Sequence, residues 1–339
     1  MPTASYFGRN AFAGFAKEDD AQPYGTANTS YTVRRPIISC SMLRQVEKVP
    51  RNNLMVAGVA GLRKGHYIAS DRATGSIELE MTYDNCGYFI HEAMGASSSD
   101  TSPTPNVHTY TLADLPAVDA DGNTAATTLG LQRGTGQVEV FEGVCFNTAT
   151  FSCAAGEQMT LSMDMIAQTS QARTTAITYV EPTNENLVLH HHTPGSLSWN
   201  GQSFELIDFE YKIENGMAER MRLGSTLTKQ PVISDFRSVT MTVTFETDDA
   251  EGYAKFLADT QSDAEVIFDN GGATGSTAER EIIFSLNACY IETYEDSVSE
   301  SGLITASVTF RGEGDGTSGL PLGAMIRVKN VNATAIENG

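Results

Sequence analysis

The sequence has 339 residues, of which 40% are hydrophobic, so it can bury one large core or two of ordinary size. It holds 42 acidic residues against 22 Lys and Arg, a formal net charge of −20 with no acidic tail to account for it. This composition excludes a disordered chain, and the acidic surface argues against sequence-independent binding of nucleic acid through a basic footprint.

Residues 1–35 are rich in Gly, Ala, Ser and Thr and are predicted to form an N-terminal arm. Arg9 and Lys17 bracket too few apolar residues for the core of a signal peptide. No window of the chain is apolar for long enough to span a membrane. We therefore expect a protein made in the cytoplasm that has no membrane partner.

The first strong strand pattern lies in SIELEMTYDNCGYFIHEAMG, residues 76–95. Apolar residues from Ile77 to Tyr83 alternate with polar ones, which is the period of a strand buried on one face. Asp84 or Asn85 can cap a short helix over CGYFIHEAM that ends before Gly95.

Residues 96–137 follow this helix and fall outside the compact units. The segment is far longer than most loops, so it is predicted to be a long loop that is functional, ordered by partners, or disordered. Residues 143–168 then read as two strands joined by a Gly-containing turn, with Met159, Leu161, Met163 and Met165 on the inner face.

The second half opens with a hairpin signal at Asn200-Gly201 and a strand around Phe209–Ile213. Residues 238–259 repeat the strand and the short helix, with Asp248 and Glu251 as a capping box. Residues 287–313 repeat the hairpin, and the chain ends in a Gly-rich stretch with a short strand around 326–331.

The order strand, helix, linker, hairpin thus occurs twice, which predicts a tandem duplication divided near residue 185. The predicted units are an N-terminal arm (1–35), a first domain (36–185), a second domain (186–313) and a C-terminal arm (314–339). The fold class is mainly β: two tandem β-sandwich or barrel domains, each flanked by one short helix.

Residues that could carry chemistry are few. His190, His191 and His192 point to alternating faces of an extended segment and favour a polar linker over a metal site. VDADGN (118–123) lacks the later ligands of a calcium loop and reads as a turn. The five scattered cysteines are interpreted as reduced, partly buried side chains, with a disulfide framework or a zinc site as the alternative. No catalytic motif is present, so neither an enzyme nor a cofactor is expected.

Several stretches are similar to the tail-tube (major tail) proteins of long-tailed bacteriophages. They are FGRNAFAGFAKEDDAQPYGTA (7–27), TGSIELEMTYDNCGYFIHEAMG with the later HTYTL (108–112), and VFEGVCFNTATFSCAAGEQMTLSMDM (140–165). The resemblance covers nearly the whole chain and rests on a pattern of elements. It implies a structural virion protein whose copies form rings stacked into a tube.

Most members of that family are single-domain and form hexameric rings, so the doubled unit resembles the two-domain members, in which three chains supply six units. The resemblance implies assembly in the host cytoplasm and passage of viral DNA and the tape-measure protein through the channel. It also implies tail terminator and distal tail proteins at the tube ends.

Strand edges that are a liability in a monomer would pair between neighbours in such a ring. A negatively charged channel would repel the DNA backbone and keep it mobile. Glu78, Glu80, Asp164 and Glu210 are the candidates for this channel, and the loop from Ala96 to Gln137 is the candidate for contacts between rings.

Three alternatives stay open at this point. A β-sandwich binding module of the adhesin or lectin type would use the long loop for its ligand, although only one tryptophan is present. A contractile secretion tube, a head decoration protein or a tail terminator would share the sandwich architecture. An enzyme built on the histidine run is the least supported.

Overall fold

A computed structural model of the chain shows a mainly β protein with two short helices, which confirms the predicted fold class. The structure describes residues 11–18, 22–50, 55–56, 59–60, 65–102, 105–113, 126–133, 138–173, 177, 188, 197–199, 201–246, 251–272, 279–297, 304–314 and 321–332. The boundary predicted near residue 185 lies outside these residues.

The first half holds β1 Phe12–Lys17, β2 Val33–Pro36, β3 Ser39–Cys40, β4 Leu43–Pro50, β5 Met55–Val56, β6 Val59–Ala60, β7 His66–Glu80, α1 Gly87–Met94, β8 Gly95–Asp100, β9 Asn106–Leu112, β10 Thr127–Gln132, β11 Val138–Ala154, β12 Thr160–Ala167 and β13 Thr169–Arg173. The second half holds β14 Leu197–Trp199, β15 Gln202–Phe204, β16 Leu206–Glu214, β17 Met217–Arg220, β18 Lys229–Ile233, β19 Ser238–Glu246, α2 Glu251–Ala258, β20 Ser262–Asp269, β21 Glu281–Ser297, β22 Thr305–Gly312 and β23 Ala324–Asn330.

One sheet of eight antiparallel strands runs through both halves, in the order β4-β7-β12-β11-β16-β19-β22-β21. We call it the main sheet. The first four strands and the last four are arranged in the same way. The second strand of each group is the one that precedes a helix in the chain: β7 precedes α1, and β19 precedes α2. The third and fourth strands of each group form a hairpin, β11 with β12 and β21 with β22. The two groups join where β11 pairs with β16, with Phe151 opposite Tyr211.

The long strands β11 and β21 also reach into a second layer. The first part of β11 lies between β13 and β10, and β10 continues to β1 and β2. The first part of β21 lies between β23 and β20, with β14 and β15 beyond β20, and β9 and β8 beyond β23. The second layer therefore also ties the two halves together, because β9 pairs with β23.

The core lies between the main sheet and the second layer. Phe284 of β21 in the second layer contacts Phe151 and Tyr211 of the main sheet, each at a ring-centroid distance of 5.2 Å. Trp199 is fully buried and lies 5.3 Å from Phe310 in an edge-to-face arrangement. Such aromatic pairs add to the free energy gained by burying apolar area.

The strands, hairpins and helices predicted from alternation are confirmed, including the pairing of β14 with β15 on either side of the predicted hairpin turn. The predicted cap of α1 is wrong. Cys86 occupies the N-cap position without a side-chain hydrogen bond, and Asp84 instead pairs with Arg280. Gly95 ends α1 in the left-handed conformation, with a φ of 100°. The predicted capping residue Asp248 lies outside the described residues.

The structure corrects the prediction for residues 96–137, whose described parts form β8, β9 and β10. The alternation in NVHTYTL was a usable signal, since His108, Tyr110 and Leu112 are buried. The segments predicted as terminal arms also contribute strands to the second layer. β1 lies between β2 and β10, and β23, the strand predicted around 326–331, lies between β21 and β9.

Candidate assembly edges and polar face

The side of the main sheet that faces away from the core is covered by hydroxyl and carboxylate groups, and we call it the polar face. Residues directly opposite each other in a ladder share a face of the sheet. One such row runs from Glu80 through Thr160, Ser152, Glu210 and Thr242. The polar face comprises Ser39, Ser76, Glu78, Glu80, Thr148, Thr150, Ser152, Thr160, Ser162, Asp164, Asp208, Glu210, Lys212, Glu214, Ser238, Thr240, Thr242, Thr244, Glu246, Thr293, Glu295, Ser307, Thr309 and Arg311.

All four acids predicted to line a channel lie on this one face, although they come from three strands. Glu78 and Glu80 belong to β7, Asp164 to β12 and Glu210 to β16. The prediction missed four further acids of the polar face, which follow the same alternation in their strands: Asp208, Glu214, Glu246 and Glu295.

The two basic residues of the polar face are each paired with an acid. Lys212 Nζ lies 2.5 Å from Glu214 Oε1, and Arg311 Nη1 lies 3.5 Å from Glu292 Oε1. The hydrogen bond to Glu214 raises the pKa of Lys212, and the same bond lowers the pKa of Glu214. Because acids outnumber bases, the polar face keeps a net negative charge after these pairings.

The main sheet begins and ends on unpaired edges. Among the described residues, β4 pairs only with β7, and the last part of β21 pairs only with β22. The corresponding part of β11 has partners on both sides, β12 and β16. Ile38 lies beside the first edge and is 48% exposed, while Cys40 is half-buried. Unpaired edges of this length are templates for pairing with another chain.

A buried polar cluster holds the two halves of the chain together. Arg280 Nε donates to Asp84 Oδ1 over 2.6 Å, and both side chains are almost completely buried. Asn330 Nδ2 donates to the carbonyl of Tyr83 at 3.0 Å, and His108 Nε2 lies 3.1 Å from Asn330 Oδ1. These partners are separated by about two hundred residues of chain, so no local sequence pattern could have paired them.

Residues of the second half also satisfy the end of α1. The last carbonyls of a helix have no partner within the helix. Asn215 Nδ2 donates to the carbonyl of Ala93 at 3.1 Å, and Arg237 Nη2 donates to that of Met94 at 3.4 Å. The contact between the halves is therefore made by specific hydrogen bonds as well as by sheet pairing.

Within α1, His91 is buried, and its Nδ1 has no hydrogen-bond partner among the described residues. Burial lowers the pKa of His91 from 6.5 to about 4. Since its pKa is lower in the folded state, the folded chain should lose stability as the pH falls from about 6.5 to about 4.

We expect His91→Leu to remove this part of the pH dependence, up to about 3 kcal/mol of unfolding free energy between pH 7 and pH 4. Urea denaturation of both proteins at each pH measures the difference. Equal losses in the two proteins would show that His91 does not titrate in this way.

The candidates for metal or redox chemistry are the cysteines, the histidine run 190–192 and the turn 118–123. The five cysteines are all among the described residues and form no disulfide, and burial raises the pKa of Cys153 to about 11 and that of Cys289 to about 12. No group of three metal-ligating side chains occurs in the part of the chain that the structure describes. The histidine run 190–192 and the turn 118–123 lie outside it.

No helix among the described residues is long and apolar enough to cross a membrane.

Comparison with known protein families gives a match over nearly the whole chain. A family model described as phage tail tube protein matches residues 8–312, a range that includes both helices and every strand from β1 to β22. No curated protein matches the chain.

Proposed function

Since the chain belongs to the phage tail tube protein family and is a structural component of the virion tail, we propose that it builds the tube from closed rings of three chains. Membership of this family implies self-assembly into a tube and a structural role. The number of chains per ring, the way the ring closes and the nature of the channel are the parts proposed here.

The observation that carries the proposal is the pair of open edges on the main sheet. Its eight strands alternate in direction, so the first and the last run antiparallel. The last part of β21 in one chain can therefore pair with β3 and β4 of the next chain in the geometry that joins β11 to β16. This pairing would continue the sheet from chain to chain and remove both edges.

The junction between β11 and β16 also supplies the register of the proposed pairing between chains, once the two groups of four strands are aligned. Leu161 of β12 lies opposite Leu79 and Phe151, and Val308 of β22 lies opposite Val243 and Tyr294. Tyr294 therefore corresponds to Phe151.

By the same comparison Ile77 corresponds to Met241. Their partners on the other side, Cys40 and Tyr211, therefore correspond as well. Because Phe151 is opposite Tyr211, we place Tyr294 of one chain opposite Cys40 of the next.

This register makes Cys40 a reporter of ring closure. We expect alkylation of Cys40 by iodoacetamide above pH 8.5 to be at least about tenfold slower in assembled protein than in dilute monomer, because the neighbouring strand covers the thiol. Mass spectrometry of the labelled peptide measures the rate, and a Cys40→Ser variant identifies the signal. The same rate in both states would contradict closure at this edge.

The duplication predicted from the sequence fits this scheme. We propose that residues 36–185 and 186–313 are two copies of one unit, since β4-β7-β12-β11 and β16-β19-β22-β21 follow one order of connection. Three chains would then give six units and a barrel of three times eight strands. At ~4.8 Å per strand its circumference is at least about 115 Å and its diameter about 37 Å before tilt, wide enough for an open channel.

The polar face is the natural lining of that channel, because the opposite face of the main sheet is the core. Glu78, Glu80, Asp164 and Glu210 would then face the DNA that passes through. Their charge would repel phosphate, while the many hydroxyl groups keep the wall hydrated without cationic contacts that hold DNA.

Further partners follow from this role as proposals. The tape-measure protein would fill the channel during assembly in the host cytoplasm, and the tail terminator and distal tail proteins would bind the ends of the tube. Residues 96–137, which contain β8 to β10 instead of a single loop, stay the candidates for contacts between stacked rings.

A further inference from the structure

A hairpin of the second half lies across the first half of the same chain. It consists of β17, β18 and the connection between them, residues 217–233. The backbone N–H of Asp71 donates to the carbonyl of Thr226 at 2.8 Å, and Gln168 Nε2 donates to the carbonyl of Thr228 at 3.0 Å. Arg72 also forms an ion pair with Glu219.

Apolar contacts accompany these polar ones. Met217 at the start of the hairpin is buried in a cluster with Ala126 and Cys145 of the first half, and Ile166 packs against the same cluster. The backbone N–H of Met217 also donates to Asn147 Oδ1 at 2.8 Å. The hairpin therefore clamps the neighbouring group of strands beyond the pairing of β11 with β16.

The first half has a hairpin in the equivalent place of its own group of strands. Asp71 and Arg72 at its base contact the hairpin 217–233, but no hydrogen bond or ion pair joins residues 66–70 to a described segment outside their own hairpin. β4 and the first part of β7 extend past the end of β12, which pairs with β7 only from Ala73 onward. Residues 66–72 reach about 23 Å beyond that point at ~3.3 Å per residue. Tyr67 and Ile68 on this extension are 52% and 45% exposed.

We propose that the hairpin formed by β4 and the first part of β7 clamps the second half of the neighbouring chain, as β17 and β18 clamp the first half of their own chain. The inference rests on the ring proposed above and adds a contact to it. In such a ring the first half of one chain follows the second half of another, so the hairpin would lie over that second half.

Ladder positions identify the expected contact. Leu79 and Val243 are equivalent in the main sheet, so Arg72 corresponds to Phe236. Ser39 lies opposite Glu78, and Glu210 lies opposite the equivalent residue Thr242. Counting along the two strands from Ser39 and Glu210, Lys48 corresponds to Glu219.

In the ring, the contact equivalent to the ion pair Arg72–Glu219 within the chain is therefore between Phe236 of one chain and Lys48 of the next. Phe236 is 92% exposed in the single chain, and Lys48 is also exposed. An exposed phenylalanine at the position where the partner hairpin would rest is consistent with a surface that is covered on assembly.

A cross-linking experiment tests this contact. The double variant Lys48→Cys/Phe236→Cys is made in a Cys40→Ser background, in which the four remaining native cysteines are buried. Assembled protein is treated with a short bismaleimide, because the side chains of a paired Arg and Glu hold their Cα atoms further apart than a disulfide allows. Both substituted positions are exposed, so folding should be unaffected.

We expect covalent species of up to three chains on a denaturing gel for the double variant, and single chains for each single-cysteine control. Three-chain rings of the double variant that yield only single chains would overturn the hairpin contact and leave the ring intact. If the unmodified protein forms no three-chain rings, the proposed function fails, and the contact fails with it.

Discussion

Ile38→Lys is expected to weaken ring formation at least about 100-fold while leaving the single chain folded. Ile38 is half exposed in the chain, beside the β4 edge of the main sheet, and its backbone N–H already bonds to Glu78 within the chain. In the closed ring its side chain would lie under the neighbouring β21. Burying an isoleucine contributes about 1.5–3 kcal/mol, and burying an unpaired ammonium costs more.

The combined loss of association free energy raises the protein concentration at which half of the chains are assembled by at least about 100-fold, since each 1.4 kcal/mol changes a binding constant tenfold. Native mass spectrometry across a dilution series measures the three-chain species, and urea denaturation checks the fold. Leu223→Lys is the matched control, because Leu223 is fully exposed in the connection between β17 and β18, away from both edges of the main sheet. Unchanged assembly of Ile38→Lys would show that this edge is not an interface.

Arg280→Ala is expected to cost about 3–5 kcal/mol of unfolding free energy, because it leaves the carboxylate of Asp84 buried without its partner. Urea denaturation of the isolated chain measures the loss. Arg311→Ala is the matched control: that arginine and its partner Glu292 are both well exposed, so the loss should stay below about 1 kcal/mol.

A double variant separates the charge from the packing. Asp84→Leu/Arg280→Met replaces the ion pair by apolar side chains and is expected to recover most of the stability that Arg280→Ala loses. A loss in Arg280→Ala no larger than that in Arg311→Ala would contradict the proposed role of the buried pair in holding the halves together.

The sequence predicts which segments are strands and which of their side chains share a face, but it says little about which strands pair with each other. Alternation places Glu78 and Glu80 on one side of β7, because the side-chain period of a strand is two. That Asp164 and Glu210 share this side depends on the registers of the three ladders that join the four strands from β7 to β16. Those registers are fixed by long-range packing of the core, which no local pattern reports.

The errors have the same origin. Asp84 has the residue type and position of a helix cap, and the sequence could not show that Arg280 competes for its carboxylate. Residues 96–137 fall between the segments with strong strand and helix patterns, and the sequence therefore predicts a long loop there. β8 and β9 exist because β23, more than two hundred residues later, supplies an edge for them.

Electron cryomicroscopy of the assembled protein, at a resolution that traces strands, tests the central proposal most directly. We expect rings of three chains in which β21 of one chain pairs with β3 and β4 of the next, and in which Glu78, Glu80, Asp164 and Glu210 line the channel. A chain that stays monomeric at high concentration, or rings with the polar face turned outward, would contradict the proposal.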